Sequence, residues 1–243
     1  MPIEVTRMTE PDIDGAIDTI QQAFADDPYN RWVYPDRSKV SLVRNRVSLT
    51  IRCRWGIKHG LFHVARDTTN PTKILGCALW LPPRPPSQPQ SWSLYLSFWQ
   101  LWLSQIQMNI WYGRGGLSTT RYWIWKARQA EAQEQLWTSE KGYYFCNIVT
   151  VLPEAQGKGI GKALMEEVLG QADKEGVGCY LESSRCEPNV AIYEKFGFKL
   201  VKHMNCQDGE REEGKITLYC MMREPRSVET EDESNGKSGA GES

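Results

Sequence analysis

Residues 149–167, VTVLPEAQGKGIGKALMEE, carry the densest pattern of chemistry in the 243-residue chain. Three glycines, Gly157, Gly159 and Gly161, stand between a strand-like run ending at Pro153 and a stretch with Ile160, Leu164, Val168 and Ala172 at helical spacing. The amides of a first helical turn have no intrahelical acceptor, and the helix dipole adds partial positive charge. Glycine lets such amides approach phosphate oxygens without a Cβ in the way. The segment therefore reads as an anion cradle, with Lys158 and Lys162 at its rim. A Walker A loop needs Gly-Lys-Ser/Thr, and here Ala163 follows Gly161 and Lys162; the G-x-G-x-x-G dinucleotide spacing is also absent. The spacing present is Gln-x-x-Gly-x-Gly, at Gln156, Gly159 and Gly161. A glycine-rich turn that holds no ligand is the plain alternative.

A second segment, residues 181–203, runs LESSRCEPNVAIYEKFGFKLVKH and places Tyr193-Glu194-Lys195-Phe196-Gly197-Phe198 on a short helix entering a strand. The two motifs, in this order with a helix and a strand between them, resemble those of the GNAT acetyltransferase superfamily. Leu181-Glu182-Ser183-Ser184 followed by Asn189 and Tyr193 is similar to the branch that contains puromycin N-acetyltransferase. The segment AFADDPYNRWVYPDR and the strand ending Ala78-Leu79-Trp80-Leu81-Pro82 are similar to that branch as well. The resemblance gives out over residues 84–140. It implies a GNAT fold of mixed α/β (α+β) class: a mostly antiparallel mixed sheet of about seven strands flanked by helices.

The resemblance further implies acetyl transfer from acetyl-CoA to an amine, by direct attack in a ternary complex. Val149, Thr150 and Val151 would then offer backbone groups to the pantetheine arm, and Gln156, Gly157, Lys158, Gly159, Ile160, Gly161 and Lys162 would hold the pyrophosphate. Asn189 and Tyr193 fall at cofactor-binding positions. Tyr193 is the candidate general acid, since a phenol stays protonated at neutral pH and can donate to a leaving thiolate; packing alone is its bland alternative. Glu182 is the candidate base, directly or through water, against an equal case for a solvated strand carboxylate. Acceptor binding is assigned to Asp26 and Asp27 as attractors of an amine, Trp32 and Trp80 as aromatic walls, and Ser183 as a polar contact. For each tryptophan, core packing is the commoner role. No metal is expected. A small-molecule amine (antibiotic, xenobiotic or metabolite) is the preferred acceptor; a protein N-terminus or lysine, and a non-catalytic acyl-CoA-binding module, are the other readings.

The elements that must position these residues follow from periodicity. Residues 1–8 alternate as a strand, and Thr9 and Asp12 open a helix to about residue 25, with Ile13, Ala16, Ile17, Ile20 and Phe24 on one face. Residues 23–37 read as a loop broken by Pro28 and Pro35. Residues 38–58 read as a helix burying Val40, Val43, Val47 and Ile51. Two strands follow, and then PPRPPSQPQ introduces two Trp-bearing helices within an insertion at about 84–140. No charge occurs between Arg84 and Arg114, and Ser93, Ser97, Gln100, Ser104 and Gln107 form a polar stripe there. The stripe argues against a membrane span and for a helix packed on the domain or lining a pocket; a membrane or homodimer surface is its remaining role. Residues 1–224 thus form one domain, and 225–243 read as a disordered acidic tail.

Bulk composition sets the outer bounds. Twenty-nine Lys and Arg balance thirty Asp and Glu, for a net charge of −1, which argues against nucleic acid as the main partner. Seven cysteines without C-x-x-C spacing suit free thiols in a reducing cytoplasm.

Overall fold

The alternating residues at the start form β1 (Ile3–Arg7), the edge strand of the sheet. The computed structural model describes residues 2–87 and 91–226. After β1, Thr9 and Asp12 cap one another reciprocally, the Asp12 carboxylate accepting from the Thr9 amide and hydroxyl at 2.8 Å. That cap leads into α1 (Ile13–Ala23), which buries Ile13, Ala16, Ile17 and Ile20 as its periodicity requires. The segment expected as loop contains a short helix, α2 (Pro28–Val33). Proline is compatible with a first helical position, where its missing N–H is not needed, and the Asp27 carboxylate accepts from the Asn30 amide.

Next comes α3 (Leu42–His59), then β2 (Leu61–Asp67) and β3 (Asn70–Leu81). The expected buried face of α3 is corrected: Val43 is 66% exposed, and the buried positions are Arg44, Ser48, Cys53 and Gly56. The cause is α4 (Trp92–Tyr112), which lies along α3 with a partly polar seam. Arg44 donates to Asn109 Oδ1 at 2.6 Å, Ser48 to Gln105 Oε1 at 2.8 Å, and the Trp55 indole to Ser97 Oγ at 3.3 Å. Hydrogen-bonded polar pairs can be buried at little cost, so apolar periodicity points to the wrong face here.

After α5 (Thr119–Leu136) come β4 (Tyr143–Val151), α6 (Ile160–Glu175), β5 (Gly178–Ser183), α7 (Asn189–Glu194), β6 (Lys199–Gln207) and β7 (Lys215–Arg223). The seven strands form one sheet in the order β1-β2-β3-β4-β5-β7-β6. Only β4 and β5 run parallel. The expected mixed, mostly antiparallel seven-stranded sheet is the observed one. One face is covered by α6, through Ile160, Leu164, Met165 and Val168 against Ala65, Leu75, Trp80 and Cys146. The other is covered by α1 and α3 at the β1–β3 end and by α2 and α5 toward β5–β7–β6. Pro225 and Arg226 of the expected tail are ordered to the extent that the Arg226 amide donates to Asp173 at 2.7 Å; residues 227–243 lie outside the described residues. Among the described residues no helix is long and apolar enough to cross a membrane.

His63, on β2, is 6% exposed and its Nδ1 is buried without a partner. Burial, aided by the charge of Arg7, lowers its pKa to about 4. The unfolded chain binds this proton near pH 6.5 and the folded one only near pH 4. Stability contributed by neutral His63 is therefore complete above pH 6.5 and lost as pH falls toward 4, by up to ~3 kcal/mol. Urea midpoints measured across that window should fall, and His63→Leu should flatten the slope.

Candidate active site

The site begins where two parallel strands part. β4 pairs with β5 from Tyr143↔Gly178 to Cys146↔Leu181 and no further. Beyond that point β4 stays paired with β3 alone, up to Gly76↔Val151. A bulge opposite Leu79 and Trp80 leaves Asn147 out of the register, exposed at the mouth of the opening. The β5-facing edge of residues 147–151 thus has no strand partner. Val149 and Val151 pack toward α6, and Thr150 turns the other way, its hydroxyl 3.2 Å from Cys77 Sγ. These side chains are structural, and what the segment offers a ligand is its main chain.

At the open end of β4 stands the N-terminus of α6. Gly159 is its cap residue, at φ +82°, and no side chain caps the helix. A Cβ on Gly157 (φ +74°) or Gly159 would meet nothing within 4 Å, so the space before the loop is clear. Ala163 is the first residue whose amide bonds back, to the Gly159 carbonyl, which leaves the amides of Ile160, Gly161 and Lys162 without intrahelical acceptors. An uncapped 16-residue helix with a bare glycine approach fits the diphosphate of a nucleotide-type cofactor. Lys158 donates to the Glu154 carbonyl at 2.9 Å and Lys162 lies 3.6 Å from Glu166, both exposed at the rim. Gln156 points back to the Val151 carbonyl at 3.5 Å.

Tyr193 and Glu182 approach the opening from opposite faces of the sheet. Tyr193 packs on the α6 side, its ring edge-on to buried Phe198 at 6.2 Å. Gly197, at φ +91°, turns the chain so that Phe198 enters the core and α7 is pinned beside the opening. The Tyr193 hydroxyl has no hydrogen-bond partner among the described residues. Burial, reinforced by the Cys146 thiol, raises its pKa above the usual phenol range. Glu182 shares the opposite face with Tyr180, two residues earlier on β5. Its Oε1 accepts from the Tyr180 hydroxyl at 2.9 Å and its Oε2 from Gln129 Nε2 at 2.8 Å. Burial raises its pKa, and the bonds from Gln129 and Tyr180 and the charge of Lys126 partly offset that. Lys126 donates to Gln129 Oε1 at 2.9 Å and is held below its usual pKa by burial and by Arg52.

The expected acceptor residues are placed differently. Asp27 is 8% exposed; it caps α2 and accepts from Ser184 Oγ, so its charge is committed to the fold. Asp26 is exposed and paired with Arg31 at 2.6 Å. Trp32 is 4% exposed, its indole donating to the Gly214 carbonyl, and Trp80 is fully buried against α6. Neither is a wall of an acceptor pocket: large indoles at inward strand and helix positions fill the core. Ser183 is buried, and its hydroxyl serves the turn, donating to the Arg185 carbonyl and accepting from Asn189 Nδ2 at 3.1 Å. Asn189 is accordingly a turn-bracing residue. An open depression lined by Asp26, Arg31, Ser184, Arg185 and Tyr219 includes none of Tyr193, Glu182 or Gln129. The residues missed in the sequence are Gln129 and Lys126 on α5, Tyr180 and Asn147. Only Tyr180 carried a signal, as the residue two before Glu182 on a strand. Among the described residues no group of His, Cys, Asp or Glu could hold a metal ion.

Residues 119–200 match the family model described as an acetyltransferase (GNAT) domain. The matched segment takes in α5 as well as both motifs. An uncharacterized N-acetyltransferase of Schizosaccharomyces pombe is 38% identical over 79 residues, 32% of this chain and 30% of that protein. This chain therefore matches under a third of that relative's length. The fold is that of solved acetyltransferases. A structure from Corynebacterium glutamicum described as histone acetyltransferase HPA2 and related acetyltransferase superposes with TM-score 0.59, at 20% identity, covering 95% of this chain and all of that one. Arylalkylamine N-acetyltransferase 2 from Aedes aegypti gives 0.57 at 17% identity, covering 93% and 100%. The ribosomal-protein-S18-alanine N-acetyltransferase from Escherichia coli gives 0.51 at 13%, covering 95% and 98%.

Proposed function

We propose that this protein is an acetyl-CoA-dependent N-acetyltransferase of small-molecule amines. The observation that carries the reading is the parting of β4 and β5 after Cys146 and Leu181, with a bare helix N-terminus at one end and Tyr193 and Glu182 on opposite faces. The free edge of residues 147–151 suits the pantetheine amides, and the amides of residues 160–162 suit the pyrophosphate. The thioester carbon then falls in the gap. The amine approaches from the Glu182 side and loses a proton to that carboxylate, directly or through water. The new C–N bond forms as the C–S bond breaks, and the departing sulfur on the Tyr193 side receives the phenolic hydrogen bond and a proton, which solvent restores to Tyr193.

A small acceptor is favoured because α5 roofs the Glu182 face, with Gln129 only 7% exposed. A peptide segment needs an open groove there. The similarity of residues 181–184 and Tyr193 to the puromycin N-acetyltransferase branch points the same way. Lys126 and Arg52 beside the site disfavour a strongly cationic ammonium, which selects weakly basic amines such as arylamines. The cytoplasm supplies the thioester and keeps the seven cysteines as thiols.

Calorimetric titration with acetyl-CoA and thiol release across a panel of arylamines, polyamines, aminoglycosides, puromycin and short peptides test the reading together. Acetyl-CoA binds, at least one small amine releases thiol, and Glu182→Gln cuts kcat/KM by about 10²-fold or more while acetyl-CoA still binds. Absence of acetyl-CoA binding ends the reading. Binding with no turnover replaces it with a non-catalytic acyl-CoA module.

A further inference from the structure

We infer that the outer face of α4 is a docking surface for an anionic lipid bilayer, a role independent of acetyl transfer. Large apolar residues line its solvent side, flanked along one edge by exposed Ser93, Gln100 and Gln107: Trp92 is 79% exposed, Leu96 61%, Trp99 47%, Leu103 55% and Ile110 75%. Spacings of four, three, four and seven residues put them on one stripe of a 21-residue helix, roughly 30 Å long. Tyr95 and Trp102 widen the stripe, Trp111 is exposed in the last turn, and Ser97, Gln105 and Asn109 face α3 instead. A soluble domain seldom leaves such a patch uncovered.

The choice of occupant rests on charge. Residues 37–130 contain fourteen Lys or Arg and one acid, Asp67, in a chain whose net charge is −1. Of these, Lys58 on α3 and Arg114 just after α4 are exposed and have no ion-pair partner among the described residues. Basic residues beside a Trp- and Tyr-rich helix match an anionic headgroup layer, where indole N–H and phenol O–H groups also find acceptors. A second copy would instead set this basic region against itself, and the exposed indoles would lose their water without gaining partners. The helix is not apolar enough to cross, so it lies in the plane of the interface.

Flotation of the full chain with vesicles of phosphatidylcholine alone, or with 30% phosphatidylglycerol as a probe composition, tests this, with sedimentation velocity in parallel. The chain floats with the anionic vesicles at least tenfold more strongly than with the neutral ones, and brominated acyl chains quench its tryptophan emission. Trp99→Ser with Trp102→Ser abolishes flotation while the thermal midpoint stays within a few degrees, because both rings are exposed. Lys58→Gln weakens binding about fivefold, one charge near an anionic surface. Failure to float with anionic vesicles overturns the inference, as does a dimer that the double substitution dissociates.

Discussion

Tyr193→Phe lowers kcat by about 10²-fold or more, leaves the KM for acetyl-CoA within about twofold, and does not destabilise the protein. The rate loss follows from removing the phenolic donor proposed to meet the departing thiolate; general acid catalysis of this kind contributes about 10²–10⁴-fold, and 10² corresponds to ~2.7 kcal/mol of barrier. The affinity is spared in the proposed binding mode, in which the pantetheine and pyrophosphate are held by backbone on β4 and α6. The stability result separates a catalytic from a structural hydroxyl. A bonded structural hydroxyl costs about 1 kcal/mol or more when deleted, whereas the Tyr193 oxygen has no partner among the described residues and its ring remains against Phe198. Urea unfolding and steady-state kinetics on the same preparation decide the matter: a destabilised variant with normal kcat assigns Tyr193 to packing.

The ease with which different parts could be read from sequence has a physical pattern. Where local chemistry suffices, the elements came out as expected. Thr9 and Asp12 cap a turn, Gly159 opens α6, and Gly197 lets Phe198 into the core; each is a constraint within a few residues. The central sheet was legible because its strands are apolar runs of strand length between turn residues. The candidate site was legible along β4, α6, β5 and α7. Its acceptor half is tertiary: Gln129 and Lys126 reach Glu182 from a helix more than fifty positions away, and nothing in their local pattern marks them. Asp27 illustrates the opposite error. An acidic residue in a loop looked free to attract an amine, but the chain uses it as a helix cap and as the acceptor for Ser184. Trp32 and Trp80, candidate aromatic walls for which core packing was the commoner role, are core residues, whereas the tryptophans of α4, expected to pack on the domain or line a pocket, are the exposed ones. The polar seam between α3 and α4 explains that reversal.

The largest loss of stability should come from Arg223, far from the reacting atoms but coupled to them. Its guanidinium is 3% exposed and bidentate to Asp173 on α6, at 2.8 and 2.7 Å, while its Nε donates to the Phe196 carbonyl at 2.9 Å. One side chain thus ties β7 and α6 to the turn that follows Tyr193. Arg223→Met keeps apolar contact but leaves the Asp173 carboxylate, 17% exposed, without its guanidinium and with the Arg226 amide as its remaining donor. Breaking a buried pair from one side costs about 3–5 kcal/mol, and the residual solvent access of Asp173 puts the expectation at the lower end, ~3 kcal/mol. Arg223→Lys restores charge but not the fork, so it recovers only part of the loss. With Asp173→Leu added to Arg223→Met, no buried charge remains and much of the stability returns. Activity adds a second readout. Because the Phe196 carbonyl bond holds the Tyr193 turn, Arg223→Met at temperatures where it stays folded should lower kcat more than it raises the KM for acetyl-CoA. The double variant should regain stability without regaining kcat. If both recover together, Arg223 serves the fold alone and the position of Tyr193 is fixed by the packing of its ring on Phe198.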